Sequence, residues 1–258
     1  MSRQERCPVV SVTTVSGGCA VLRFTAPVLA ASAAPGQFVN VRVDESTDPL
    51  LRRPFSVYRT EGEDVEILFQ VIGRGTSRLR LKQKGDPLDV LGPLGVPFSV
   101  TAPDFATGIL VGGGLGVAPL PMLTAALQAR GMRVITLLGA RSASLLVEDH
   151  LQDPHIATDD GSRGFSGSVV SLLSRVLDEK RPPSPRIFAC GPNAMLRALA
   201  DLALGRGIPC EVSLEGPMGC GFGICQGCPV ELVDQPKRFA LMCTDGPAFD
   251  IRKIRIPG

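Results

Sequence analysis

The chain has 258 residues, a formal net charge of +2 at pH 7, no Trp and a single Tyr. Charges of both signs are interspersed and aromatic platforms are scarce, which speaks against nucleic-acid binding, and no run of about 18 apolar residues is present to cross a membrane. A hydrophobic share of 44% suits two compact cores plus a small appendage, and the polar start from Met1 to Arg6, with no apolar stretch behind it, points to a soluble, cytoplasmic protein.

From Pro8 to about Val100, short β-rich runs are punctuated by Gly and Pro: Ala20–Phe24, Gln37–Val43, Phe55–Tyr58 and Val65–Val71. Several alternate apolar with polar residues, as strands of a small antiparallel barrel do, and only Thr76–Lys84 reads as helical. Beyond Asp104 the pattern changes. The apolar run Gly108–Val111 leads into the turn Gly112-Gly113-Gly114-Leu115-Gly116 and a helix from about Pro119 to Arg130, closed by Gly131. Strand-like Val134–Leu138, Arg186–Ala189 and Pro209–Leu214 then alternate with helical Ser166–Leu177 and Asn193–Leu204, which predicts a parallel sheet covered by helices. After Glu215 the chain is mostly loop, with strand-like Pro229–Val233, and a segment this small is expected to fold only with a bound metal. The reading is a multidomain β plus α/β protein: an antiparallel β-barrel domain over 1–102, a parallel-sheet α/β domain over 103–212 and a small C-terminal loop domain over 213–258.

Four of the eight cysteines, Cys220, Cys225, Cys228 and Cys243, follow the order C-x4-C-x2-C and a distant fourth, the spacing of a plant-type [2Fe-2S] site. Glycines flank nearly every one, so the backbone can wrap tightly and turn N–H groups toward cluster sulfurs. A zinc site with four thiolates is the alternative, although zinc modules usually pair their cysteines as two short C-x2-C clips. Cys7, Cys19 and Cys210 read as buried small hydrophobes.

The glycine turn after Val111 stands where an α/β sheet receives a phosphate. Its match to a dinucleotide fingerprint is loose, since Val117 occupies the third glycine position, and a turn without a ligand stays open. In the barrel region, Arg52-Arg53-Pro54-Phe55-Ser56 joins a guanidinium suited to phosphate with a hydroxyl, and Gly73-Arg74-Gly75-Thr76 offers turn donors. Taken singly, each is ordinary surface chemistry. His150 and His155, beside acidic or loop residues, read as surface groups, and no Ser-His-Asp arrangement is present.

In order along the chain, Arg53–Ser56, Gly73–Thr76, Leu91-Gly92-Pro93-Leu94-Gly95, Gly112–Pro119, Ala189-Cys190-Gly191-Pro192 and the terminal cysteines resemble the ferredoxin-NADP reductase superfamily. Within it, Leu214–Cys228 and Cys243–Phe249 closely resemble the electron-transfer subunits of type B, NAD-dependent dihydroorotate dehydrogenases. The resemblance implies an FAD barrel, an NAD-binding α/β domain and a C-terminal [2Fe-2S] loop. It also implies a catalytic partner carrying FMN, in a heterotetramer of two subunits of each kind, that oxidises dihydroorotate in pyrimidine biosynthesis. Electrons would pass from that FMN through the cluster and FAD to NAD+, because a hydride carrier and a one-electron cluster need a flavin between them.

By position, the resemblance places Arg53, Pro54, Phe55 and Ser56 on the FAD, with Arg53 at the pyrophosphate and Ser56 near the flavin ring. Gln70, Val71 and Ile72 would line the cofactor by main chain, and Gly75 with Thr76 would hold phosphates. Gly113, Gly114 and Gly116 would admit NAD, Cys190 would lie near the nicotinamide, and Cys220, Cys225, Cys228 and Cys243 would bind the cluster. For Cys190, a merely buried strand-end thiol is the competing reading. The acidic turn Thr158-Asp159-Asp160-Gly161-Ser162 would repel a 2′-phosphate and favours NAD over NADP, with Arg141 and Arg163 the nearby cations. A paralogous subunit of a sulfide dehydrogenase or an electron-bifurcating transhydrogenase is the second reading, but those relatives often carry Asp where Cys220 stands. A zinc-stabilised binding module is a third.

Overall fold

The computed structural model describes residues 2–258. Its N-terminal half is a barrel closed by six antiparallel strands: β1 (Arg3–Thr14), β2 (Cys19–Thr25), β3 (Phe38–Arg42), β4 (Arg53–Glu61), β5 (Asp64–Gln70) and β6 (Pro87–Leu94), in the order β1-β2-β5-β4-β3-β6. β1 starts at Arg3, ahead of the expected Pro8, because its charged residues face water while Cys7 and Val9 face the barrel core. Two short helices were not legible at their observed bounds: α1 (Pro27–Ser32), which buries only Leu29, and α2 (Arg74–Arg80), which lies earlier than the expected Thr76–Lys84. Inward residues of alternate positions, such as Leu22 and Phe24 of β2 and Val39 and Val41 of β3, fill the barrel.

The second half is a seven-stranded sheet, β10-β9-β8-β7-β11-β12-β15. It comprises β7 (Thr107–Gly113), β8 (Arg133–Ala140), β9 (His155–Thr158), β10 (Phe165–Ser166), β11 (Pro185–Cys190), β12 (Cys210–Ser213) and, after a small hairpin of β13 (Pro229–Glu231) and β14 (Phe239–Leu241), β15 (Ala248–Asp250). The helices α3 (Leu120–Ala129), α4 (Val169–Lys180) and α5 (Asn193–Gly205) cover it. α4 begins at Val169 rather than Ser166: Gly167 adopts φ +131, and the Ser168 hydroxyl caps the helix by accepting from the Ser171 N–H at 3.1 Å. Strand order reverses between β7 and β11, which opens a crevice at their carboxyl ends.

All pairings in this sheet are parallel except the last, where β15 runs antiparallel to β12 with Phe249 opposite Val212. The terminal segment therefore completes the sheet of the preceding one. Val230, Met242, Phe249 and Ile254 share one core with Leu196, Leu199 and Ala203 of α5. Burial of a large apolar side chain contributes about 1.5–3 kcal/mol, so this segment shares a packed core with α5.

Barrel and sheet also share a core, in which Tyr58 and Leu68 pack with Phe98, Leu146, Val147 and Phe188, and the Tyr58 hydroxyl donates to the Asp149 carbonyl at 2.9 Å. Among the described residues, no helix is long and apolar enough to cross a membrane.

Candidate functional site

A cavity of about 600 Å³ opens between barrel and sheet. β4 supplies Arg53, Pro54, Phe55 and Ser56, the end of β5 supplies Gln70, and the turn into α2 supplies Ile72, Gly75 and Thr76. The Phe55 ring leans on Phe69 at 5.7 Å. Of the two adjacent arginines, Arg52 is spent on Asp89, at 2.9 Å, whereas Arg53 has no carboxylate partner among the described residues and donates to the Leu51 and Arg52 carbonyls. Its side chain lies across Gly75, where a Cβ would stand 3.2 Å from Nε. The Thr76 hydroxyl is occupied in holding the turn, accepting from the Ile72 and Gly73 N–H groups, which leaves the first-turn N–H groups of α2 for an anion. Of the barrel residues predicted to line a cofactor, Val71 alone turns away, packing against the barrel core.

A second cavity, of about 720 Å³, sits at the strand-order reversal, lined by Gly113, Gly114, Gly139, Arg141, Asp159 and Pro192 among others. Its walls are close-packed backbone: a Cβ on Gly113 would meet the Met195 sulfur at 2.5 Å, and one on Gly139 would meet Val169 at 2.7 Å. Gly116 does not line it. That glycine lets the turn press on β11, since a Cβ there would lie 2.1 Å from the Cys190 carbonyl oxygen. The acidic turn divides its labour. Asp159 faces the cavity, while Asp160 accepts from the Ser162 N–H and hydroxyl, bonds that hold its carboxyl below the usual carboxylate range. Arg163 is paired with Glu148 at 2.9 Å, so Arg141 is the predicted cation that lines this cavity. Gln70 and Leu115 line both cavities and mark where they adjoin.

Cys190 lines neither cavity. Its thiol lies 3.6 Å from a carboxylate oxygen of Glu215, which does face the barrel cavity, and burial pushes both groups above their ordinary values.

The four terminal cysteines lie near one another. The Cys220 and Cys225 N–H groups each donate to the other's sulfur, at 3.5 and 3.4 Å, and the Cys243 thiol neighbours both Cys228 and Cys220. Cys225 is exposed and Cys228 and Cys243 are buried. Burial raises the Cys220 thiol, but N–H groups of Cys225, Phe222 and Ile224 more than offset this and bring it down to about 6; burial and the neighbouring Cys228 push Cys243 up to about 12. A Cβ on Gly219 would stand 3.2 Å from the Cys225 sulfur, so the glycine lets the loop wrap tightly around that thiol.

Residues 215–255 match the iron-sulfur cluster binding domain of dihydroorotate dehydrogenase B. Over 256 residues the chain is 38% identical to the electron transfer subunit of dihydroorotate dehydrogenase B (NAD(+)) of Geobacillus thermodenitrificans, spanning 96% of this chain and 97% of that one. The chain belongs to this family of electron transfer subunits.

The family's subunit from Desulforamulus reducens is 36% identical over 258 residues, again spanning 96% of this chain and 97% of the other. A solved NADH-dependent reduced ferredoxin-NADP oxidoreductase superposes with a TM-score of 0.85 at 28% identity, covering 98% of this chain and 90% of that one. A ferredoxin NADP+ reductase of Neisseria gonorrhoeae, at 17% identity and TM-score 0.67 over 79% of this chain and 92% of that one, shares the fold. For a member of the dihydroorotate dehydrogenase B electron transfer family, the donor set is apt. Four thiols in the order C-x4-C-x2-C with a distant fourth are the donor set of a plant-type [2Fe-2S] site. Sequence reasoning gave no role to Ser213, Glu215, Met218 and Pro247, which close the barrel cavity from the sheet side. The signal for Glu215 was its place in the Leu214–Cys228 stretch.

Proposed function

We propose that this subunit passes electrons from the FMN of a dihydroorotate-oxidising partner, through a [2Fe-2S] cluster and FAD, to NAD+, in the cytoplasm and within a heterotetramer of two subunits of each kind. One observation carries this reading: the barrel cavity adjoins the sheet cavity at Gln70 and Leu115 on one side, and on the other its wall, Ser213 to Met218, runs directly into Cys220. A flavin between the two sites supplies the exchange of hydride pairs for single electrons.

The residues divide that work. Arg53, free of any carboxylate, and the N–H groups of Gly75 and Thr76 bind the FAD pyrophosphate. Pro54, Phe55 and Ser56, with Gln70 and Ile72, line the cavity and would hold the flavin there. Gly113 and Gly114 admit the dinucleotide to the crevice, Gly116 holds that turn against β11, and Asp159 disfavours a 2′-phosphate there. Cys220, Cys225, Cys228 and Cys243 would hold the cluster. Glu215, its carboxyl raised above the ordinary carboxylate range, faces the barrel cavity with an oxygen 3.6 Å from the Cys190 thiol. Residues 1–102, 103–212 and 213–258 carry these three tasks, while sharing their cores.

Two measurements test this. Anaerobically purified protein should contain FAD, iron and labile sulfide and co-purify with a flavoprotein that turns over dihydroorotate; a colourless zinc protein would overturn the reading. Cys225→Ser should remove the cluster yet leave NADH oxidation by artificial two-electron acceptors largely intact, and simultaneous loss of FAD would contradict the division of labour.

A further inference from the structure

The cysteine loop is tied to the barrel through a buried amide. Along β3, Val39 and Val41 pack into the barrel core, so Phe38 and Asn40 face outward. Asn40 is 1% exposed, and its Nδ2 donates to the Cys220 carbonyl at 2.6 Å. Across the sheet Asn40 stands opposite Pro54, which lines the barrel cavity together with Arg53, Phe55 and Ser56. The first cysteine of the C-x4-C-x2-C segment and the strand that faces the cofactor are therefore neighbours through one side chain.

The bond leaves a mark on both partners. Asn40 Oδ1 is buried with no hydrogen-bond partner among the described residues, an unfavourable arrangement that an apolar residue would avoid. Turning the amide over would set its oxygen against the Cys220 oxygen, so the donor must face the loop. What favours an amide at this position is the donor it presents to Cys220. On the loop side, Gly221 adopts φ +81, and a Cβ there would lie 2.4 Å from Asn40 Nδ2, so the Cys220–Gly221 peptide rests on the amide with no room for a side chain. Arg52 braces the same strand, donating to the Asn40 carbonyl at 3.3 Å and to the Asp89 carbonyl at 3.0 Å.

We infer that Asn40 is a positioning residue for the iron-sulfur centre: it fixes Cys220 against the flavin-bearing barrel and polarises the Cys220–Gly221 peptide beside the first thiolate. The inference rests on the cluster reading given above. A hydrogen bond drawn into a peptide carbonyl strengthens that peptide as a donor in turn, and donors around a cluster set its reduction potential.

The test compares the purified holoprotein with Asn40→Asp, which has the same shape without the N–H, and with Asn40→Leu, which removes both the donor and the orphaned oxygen. FAD and iron per chain, the electron paramagnetic resonance spectrum and midpoint potential of the reduced cluster, and the rate of its reduction by NADH are measured. FAD should be retained in both variants. The cluster should either be lost or show an altered spectrum, a more negative midpoint and a reduction rate lower by about 10- to 100-fold. Should the Asp variant fail to fold, the Leu variant decides alone. Wild-type spectrum, midpoint and rate in Asn40→Leu would overturn the role of Asn40. Absence of iron and sulfide from the wild-type protein would instead remove the cluster reading beneath it.

Discussion

The barrel cavity and the sheet cavity adjoin at Gln70 and Leu115 and are similar in size, about 600 and 720 Å³, yet they present different chemistry to a nucleotide. The barrel cavity is lined by side-chain groups: a guanidinium at Arg53 with no carboxylate partner among the described residues, a hydroxyl at Ser56 and an aromatic ring at Phe55. The sheet cavity instead presents glycine backbone, with Gly113, Gly114 and Gly139 in the wall and Gly116 packed behind it. The first cavity should be sensitive to deletion of side chains and the second to their addition. A flavin that stays with the protein through every turnover gains from many fixed contacts, while a nicotinamide that must leave is suited by a shape that admits it.

The sharpest break should come from adding one methyl group to the backbone site. In Gly116→Ala the new carbon would lie 2.1 Å from the Cys190 oxygen and 2.5 Å from the Gly191 nitrogen, both main-chain atoms of a neighbouring segment that cannot swing away. Overpacking of this kind costs about 3 kcal/mol. Urea unfolding should record that loss, and NADH binding should fall with it; an unchanged unfolding midpoint would show that the turn does not pack so tightly.

Arg53→Ala probes the opposite material. Hydrogen bonds to charged groups contribute about 1.5–3 kcal/mol, so FAD affinity should fall by about 10- to 150-fold with folding stability little affected. Arg52→Ala sharpens the comparison. Arg52 is committed to Asp89 and to the Asn40 and Asp89 carbonyls, and its loss should leave FAD affinity where it was. If both variants release flavin equally, phosphate recognition belongs to the local charge and not to the free guanidinium.

The difference between the cavities also explains what the sequence made legible. Side-chain recognition leaves named residue types in a row, and Arg53–Ser56, Gly75 and Thr76 all line the barrel cavity as expected. Thiolate spacing is equally direct, and the four cysteines lie near one another. Backbone recognition is harder to read, because a glycine reports only that space is short. Gly113 and Gly114 face the crevice, but Gly116 serves packing, and Cys190 proves to be buried behind both cavities. Residues delivered by the third dimension left no local pattern at all. Asn40 is one outward position on an ordinary strand, Glu215 reaches the barrel cavity from the sheet, and Ala248–Asp250 joins β12 across the intervening cysteine loop.

The smallest expected effect lies at the rim of the sheet cavity and bears on whether backbone alone selects the nucleotide there. Asp159 and Arg141 both line that cavity, one repelling and one attracting phosphate, whereas Asp160 is bound into its own turn and Arg163 into a pair with Glu148. Two unit charges about 4 Å apart in a water-rich setting interact by about 1 kcal/mol. Asp159→Asn should therefore raise NADPH use relative to NADH by about fivefold, an effect that fades as salt is added. Asp160→Asn should leave the ratio unchanged, since its carboxylate serves Ser162. A shift from Asp160→Asn as large as that from Asp159→Asn would mean that the whole acidic turn acts as a diffuse field and not through the one carboxylate that faces the crevice.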